Sequence, residues 1–295
     1  MVDTSTAVTE LVAEPAAAST PSRLRPVPLR SPDRRRRGRI PSRVAAPVGV
    51  LVVILVVWTA ISRSLEGGRS FLLPSPGVVL TDGLLQSDVV KEVLDALAST
   101  MTVALIGLLI SIALGVSAAV VMHQSRWAEH ALYPYAVILQ TIPILAVVPL
   151  IGFWFGFDFN SRLFVCVLVA IFPIITNTLF GLQSVDHDHR DLFALYSANR
   201  RQRLWRLDLP GALPAMITGF KISAGLSVIG SIIADFFFRQ GEPGIGRLID
   251  AYRQRLATEK LLTALIFSSL AGLLLFWMFD LIGQRVMQRR TKRTA

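Results

Sequence analysis

The sequence predicts an all-α polytopic membrane protein of about six transmembrane helices, with a cytoplasmic helix between the fourth and the fifth. Three observations predict it. Of the 295 residues, 53% are hydrophobic and 17% charged, with a mean hydropathy of +0.55; a soluble domain carries about 25% charged residues. The charge is gathered into a few segments. Between them run apolar stretches near or beyond the roughly 18 residues that read as a membrane span.

Residues 1–43 combine an Ala/Thr/Ser/Glu-rich head with a Pro/Arg stretch, in which Arg34, Arg35, Arg36 and Arg37 form one run. No apolar periodicity crosses this segment, so disorder is expected. It is too long and too basic for the n-region of a secretory signal. Either it is a topology anchor held near anionic lipid headgroups, or it is an extension without a task.

A membrane domain follows at 44–284, with spans expected at 44–62, 97–122, 131–156, 162–183, 212–238 and 261–284. Each is near or above the roughly 20 residues that a tilted helix needs to cross the hydrocarbon core. Pro134, Pro143 and Pro149 interrupt the third. Pro143 and Pro149 each remove a backbone donor and should kink or break the helix. Such breaks survive at membrane depth only where protein or water satisfies the freed carbonyls. The third span is therefore expected to pack inside the bundle. Residues 285–295 form a second basic tail.

Orientation follows from Lys and Arg. With the N-terminus inside, the cytoplasmic segments hold twenty and the external segments nine, which places both termini in the cytoplasm. The external segment 239–260 is discordant, with Arg239, Arg247, Arg253, Arg255 and Lys260. The net charge of +10 belongs to this asymmetry, so no nucleic-acid partner is expected.

Several chemistries are missing. No G-x-x-x-x-G-K-[ST], H-E-x-x-H or G-x-S-x-G pattern occurs, and no pair of carboxylates lies within the spans at a spacing suited to acid/base work. The one cysteine, Cys166, allows neither an intrachain disulfide nor a thiolate metal cluster. Asp186, His187, Asp188 and His189 are the one local group of metal-ligand types. Consecutive residues converge poorly on an ion, and Asp186 or Asp188 suits a helix N-cap.

The loop 184–211 is the most informative stretch. Leu192, Leu195 and Tyr196 recur at helical spacing, followed by Arg200, Arg201, Arg203 and Arg206. This predicts a short amphipathic helix outside the bilayer, with a basic flank and Pro210 ending it. It either lies on lipid or docks into a groove on a cytoplasmic partner.

These residues resemble the coupling loop of bacterial ABC-importer permeases, whose pattern runs E-A-A, three residues, G, then about a dozen residues to L-P and on to A-L-P. Counted back from Leu209 and Pro210, the family's Gly falls on Ser197, its Glu on Asp191, and its two Ala on Leu192 and Phe193. Ala198-Asn199-Arg200 is similar to its A-S-R. Four further stretches, in order, resemble the nitrate/sulfonate/taurine type. They are Leu73-Pro-Ser-Pro76, the run from Pro143 through Pro149 to Gly156, Gly219-Phe-Lys-Ile-Ser-Ala-Gly225, and Ala234-Asp235 followed by Gly244-Ile-Gly246.

The resemblance implies a transport subunit of the bacterial inner (plasma) membrane, itself no enzyme and holding no cofactor. It implies a homodimer, two separate ATPase subunits that bind ATP and Mg, and an extracytoplasmic solute-binding protein. The cargo is a sulfonate, nitrate, taurine or similar solute, or alternatively a thiamine-precursor pyrimidine or a flavin. A site near the midplane would open to alternate sides as the ATPases close and separate. Coupling residues implied by the loop are Asp191, Ala194, Ser197, Ala198 and Arg200; ordinary packing or solvation is the alternative for each.

Candidates for the pathway are Lys221, Ser227, Ser231 and Asp235. Lys221 is an intramembrane charge, but its stem can snorkel from two turns beyond Pro214, or it can pair. Ser227 and Ser231, one turn apart, face a pathway or pack helices together. Asp235 sits on an outer rim or pairs with Arg239. Phe236, Phe237 and Phe238 shape an outer gate or anchor the interface. Asp280, with Arg285 as the nearest partner in sequence, receives no role. A membrane enzyme and a non-transporting scaffold are the other function classes.

Overall fold

The computed structural model describes residues 42–65, 71–238 and 243–294. Residues 1–41 of the tail, and Arg239, lie outside them. The chain divides into two units, Met1–Val50 and Leu51–Ala295. Of the first, the described part is the exposed apolar beginning of α1 (Ser42–Ser64).

The second unit is built of helices joined by short turns, with no strand among its described residues. After the end of α1 come α2 (Pro76–Val78), which passes into a π-turn at Val79–Leu84, then α3 (Ser87–Gln124), α4 (Arg126–Thr141), α5 (Ile144–Phe155), α6 (Phe159–Gln183) and α7 (His187–Leu195). Next, α8 (Arg200–Arg203) runs through a π-turn at Leu204–Asp208 into α9 (Leu209–Phe237); α10 (Ile245–Gln254) and α11 (Thr258–Thr294) complete it. Among the described residues, five helices are long and apolar enough to cross a membrane, and the bent pair α4–α5 makes a sixth if it is one span.

Local chemistry sets the boundaries. Ser125 starts α4 by accepting from Ala128 N at 3.3 Å, and Asp158 starts α6 by accepting from Asn160 N at 3.1 Å. Asp186 starts α7 by accepting from Asp188 N at 3.3 Å. Ile142, forced extended by the proline that follows it (ψ 127°), ends α4, and the chain turns by 101° into α5.

Of the two prolines expected to kink or break the third span, Pro143 marks the break, and α5 continues past Pro149 to Phe155. Two other expectations about the third span and the loop need correction. The third span is not enclosed within this chain. Val148 and Ile151 pack against Val165 and Ala234, but Phe153, Trp154 and Phe155 are 75%, 67% and 61% exposed. A helix of 12 residues has one face to give to α6 and α9, and the rest stays open. Finally, Pro210 does not end the loop helix. It sits just after the π-turn Leu204–Asp208, where the helix runs on through it into α9. The arginines that follow Tyr196 thus belong to the next helix, Arg200–Phe237.

The core is built where α6, α9, α3 and α11 meet. Ala104, Leu108, Ile174, Ala224, Val228 and Leu275 form its centre. Small residues bring α6 and α9 together: a Cβ at Gly181 would lie 2.9 Å from the Ala212 carbonyl, and one at Gly219 2.9 Å from the Pro173 carbonyl. With lipid as apolar as leucine, such close packing is what holds transmembrane helices together.

Candidate functional site

The site follows from one rod. The helix Arg200–Phe237 is 38 residues long and, at 1.5 Å per residue, spans about 57 Å. One end carries α7, and the other packs against α10.

At the first end, α7 projects from the bundle as a knob. Leu192, Leu195 and Tyr196 are 49%, 82% and 80% exposed, and Trp205, further along the chain, is 64% exposed. The knob's shape comes from its C-terminus. Ser197 adopts a left-handed conformation with φ 52°. Its N–H bonds the Ala194 carbonyl at 2.9 Å, and the Ala198 N–H bonds the Phe193 carbonyl at 3.0 Å. This pair of bonds defines a Schellman motif, whose left-handed position favours glycine. Asn199 then starts α8 by a reciprocal box: its side chain accepts from Gln202 N at 2.8 Å, while its own N–H donates to Gln202 Oε1 at 3.0 Å. Asp191, Ala194, Ser197 and Arg200 are exposed and Ala198 is half-buried, so all five predicted coupling residues lie on or beside the knob.

Asp208 sits beneath the knob, 1% exposed. Its Oδ2 lies 3.3 Å from His123 Nε2 on α3 and 3.5 Å from Arg203 Nε; its Oδ1 lies 3.8 Å from Arg190 Nε on α7. Arg190 also donates to the Leu182 carbonyl at 2.8 Å, closing the end of α6. A cavity of about 210 Å³ opens beside the carboxylate, lined by His123, Gln124, Arg200, Arg203 and Leu204. Sequence reasoning passed over Asp208; the signal available was one carboxylate set in a run of arginines.

At the opposite end, Asp235 is buried and forms an ion pair with Arg162 of α6, while the Thr100 hydroxyl of α3 donates to its second oxygen. Thr100 in turn accepts from Ile245 N at 2.8 Å, which fixes the start of α10. Gly244 and Gly246 lie so close that a Cβ at Gly244 would overlap the carboxylate. The partner anticipated in the sequence, Arg239, lies outside the described residues. Arg162 is one of the nine external Lys and Arg residues counted in the sequence, where it was given no other role.

The remaining candidates sit between these ends. Lys221 pairs with Asp280 of α11, whose other oxygen accepts from Gln284 Nε2 at 2.7 Å. Asp280 thus turns to α9 and not to Arg285. Ser227 and Ser231 are fully buried, and their hydroxyls bond the Ala224 and Ser227 carbonyls of their own helix at 2.9 and 2.8 Å. Cys166 of α6 touches the Ser227 carbonyl at 3.4 Å. The structure brings both serines into the layer where α9 meets α6. Phe238 is buried against Phe157, edge to face at 5.6 Å, and Phe236 lies under Arg253 at 5.7 Å. On α10, outside the spans, Tyr252 donates to Glu92 Oε2 at 2.6 Å. Burial, and next that carboxylate, push its phenol above the usual range.

Comparison with known proteins gives this arrangement a family. Residues 111–288 match the family of binding-protein-dependent transport system inner membrane components. The chain belongs to that family. This inner membrane component is 34% identical to the formylaminopyrimidine transport permease protein ThiX of Halalkalibacterium halodurans, over 64% of this chain and 74% of that one. It is 31% identical to the riboflavin transport system permease protein RibX of Chloroflexus aurantiacus, over 81% and 87%. Permeases named for aliphatic sulfonates, nitrate and taurine are also relatives. A crystal structure of an amino acid ABC transporter with histidines shares the fold, with a TM-score of 0.51 and 17% identity over 67% of this chain and 93% of that one.

Proposed function

We propose that this transport component is the translocation subunit of an ATP-driven importer in a bacterial inner membrane, working as a homodimer with two ATPase subunits and an extracytoplasmic binding protein. The carrying observation is the continuity of Arg200–Phe237, which runs unbroken into the buried core from the short turn, residues 196–199, that follows the exposed knob. In this reading α7 seats in a groove of the ATPase through Leu192, Leu195 and Tyr196, with Asp191, Ala194, Ser197, Ala198 and Arg200 around them. The knob end is cytoplasmic, as are both termini, and ATP with Mg is held by the partner chain.

The cargo in this reading is a small solute of the sulfonate, nitrate or taurine kind. A second reading, an uncharged heterocycle such as a thiamine-precursor pyrimidine or a flavin, has a specific observation in its favour. Arg162 and Lys221 are each matched by a carboxylate, Asp235 and Asp280, so neither stands ready as a counter-charge for an anion.

The test is a tagged pull-down from native membranes in mild detergent, with the co-purifying chains identified and counted. The proposal expects an ATPase at equal stoichiometry in a complex with two copies of this chain, and release of that ATPase by Leu195→Asp. Recovery of this chain alone, under conditions that keep a known importer intact, contradicts it. The binding protein encoded alongside can then be screened against taurine, an alkanesulfonate, nitrate, an aminopyrimidine and riboflavin to decide between the cargo readings.

A further inference from the structure

We infer that Asp208 is a positioning residue for coupling: its buried carboxylate is the joint through which movement of the α7 knob reaches α9 and the end of α3. The inference rests on the importer reading above.

Four observations carry it. First, Asp208 gathers groups from separate elements: Arg190 from α7, Arg203 from α8 and His123 from the last turn of α3. Removing any one would leave the knob tied to fewer of the helices it has to move. Second, its partners stand at 3.3, 3.5 and 3.8 Å, and Oδ1 accepts no hydrogen bond among the described residues. A buried carboxylate with one long hydrogen bond to His123 and two arginines near it whose Nε atoms make no hydrogen bond is an arrangement with neighbouring alternatives of similar energy. Third, the cavity of about 210 Å³ beside it gives Arg200 and Arg203 room to change places. Fourth, Asp208 closes a π-turn, Leu204–Asp208. Such a bulge inserts a residue into the helix, re-aims the side chains around it, and can be shifted without unfolding the helix. Asp208 does not serve the helix end itself, since its side chain caps no N–H of α9.

The physical picture is a ball held by exchangeable ligands. When a partner pulls the knob, Arg190 moves with α7. The carboxylate then keeps its charge balanced by drawing Arg203 or Arg200 closer, and α9 follows. Without the negative charge, the arginines around it repel one another and the knob moves apart from the rod.

The test uses the assembled complex in nanodiscs and needs no cargo. Leu85, 69% exposed near the α10 end, is replaced by cysteine and spin-labelled; the native Cys166 is buried and is left in place. The label-to-label distance across the two copies is read with and without ATP–vanadate. In wild type we expect a nucleotide-dependent shift of roughly 2 Å or more. In Asp208→Asn we expect the ATPase to remain bound and the shift to disappear, and Asp208→Glu to restore it. A full shift in Asp208→Asn overturns the inference. So does release of the ATPase by that variant, since Asp208 then only holds the knob in shape. Absence of any shift in an ATP-hydrolysing wild-type complex overturns it as well. Should Asp208→Asn fail to reach the membrane, Arg190→Gln combined with Arg203→Gln strips the same carboxylate of its cations, and a full shift there is equally fatal. Failure of any ATPase to bind wild type contradicts the importer reading instead, which separates the two.

Discussion

Asp235 and Asp208 lie on one continuous helix, about 40 Å apart along its axis at 1.5 Å per residue, and both carboxylates are buried to 1% exposure. They are held in different ways. Around Asp235 the space is filled and the partners stand close. Arg162 pairs with one oxygen, Thr100 donates to the other, and the Gly244-Ile-Gly246 backbone lies against it. Around Asp208 the partners are more numerous, longer and partly solvent-exposed, with Arg203 at 43% and Arg190 at 23%. Burial of the same group thus gives a clamp at one end and a joint at the other. What decides is whether the space around the charge is filled.

The comparison breaks first at the clamp. Arg162→Met or Asp235→Asn alone should cost about 3–5 kcal/mol, because each leaves a buried group uncompensated; Arg162→Met combined with Asp235→Leu should come back close to native. Thermal unfolding in detergent reads both. Asp208→Asn should cost clearly less than either single change, because partly exposed arginines recover water. Equal losses at both ends would erase the distinction.

Next in size is Gly246→Ala. Its Cβ would overlap the Ile232 carbonyl and lie 2.8 Å from Asp235 Cβ, and overpacking of this kind costs roughly 1–3 kcal/mol. The melting temperature should fall accordingly, whereas Gly225→Ala, which meets open space within 4 Å, should leave it unchanged.

The Lys221–Asp280 pair is smaller. With side chains 23% and 32% exposed, it is less enclosed than the Arg162–Asp235 pair, and Lys221→Met should cost less than Arg162→Met. If the same change abolishes uptake in a reconstituted complex while stability holds, Lys221 faces the pathway after all.

Tyr252 gives a pH signature at the clamp end. Its folded-state phenol holds its proton more tightly than the unfolded one does. The stability it contributes is therefore complete below the ordinary phenol value of about 10 and declines as pH rises above it. Tyr252→Phe should flatten that alkaline decline in a melting series.

Smallest is Ser197→Gly. It relieves a left-handed serine at φ 52° and should stabilise the knob by about 1 kcal/mol or less. Slower amide exchange across α7 would show it.

Much of this was legible in the residues. Apolar runs marked the five membrane-length helices, although α3 and the rod begin ten and twelve residues before the expected spans and the third expected span is the bent pair α4–α5; the loop 184–211 was recognisable from its spacing. Ser197 at the family's glycine position proved to be the one left-handed residue of the knob, so the motif reported a backbone requirement. The charge pairs were not legible. Arg162 and Asp235 are far apart in sequence, as are Lys221 and Asp280, and only helix packing brings them together. Asp208 was hidden by its own neighbours, since a carboxylate among arginines reads as a solvated loop until burial is known. Pro210 misled for a similar reason: proline ends a helix or begins one, and the π-turn before it let the helix run through.

The most direct measurement is hydrogen–deuterium exchange on the assembled complex in nanodiscs, with and without ATP–vanadate. The account predicts that exchange changes across residues 187–212, around the knob and Asp208, while residues 231–238 and 243–250 stay equally protected in both states. Protection lost around Asp235 with none altered around Asp208 would contradict it, and would make the α10 end the moving one.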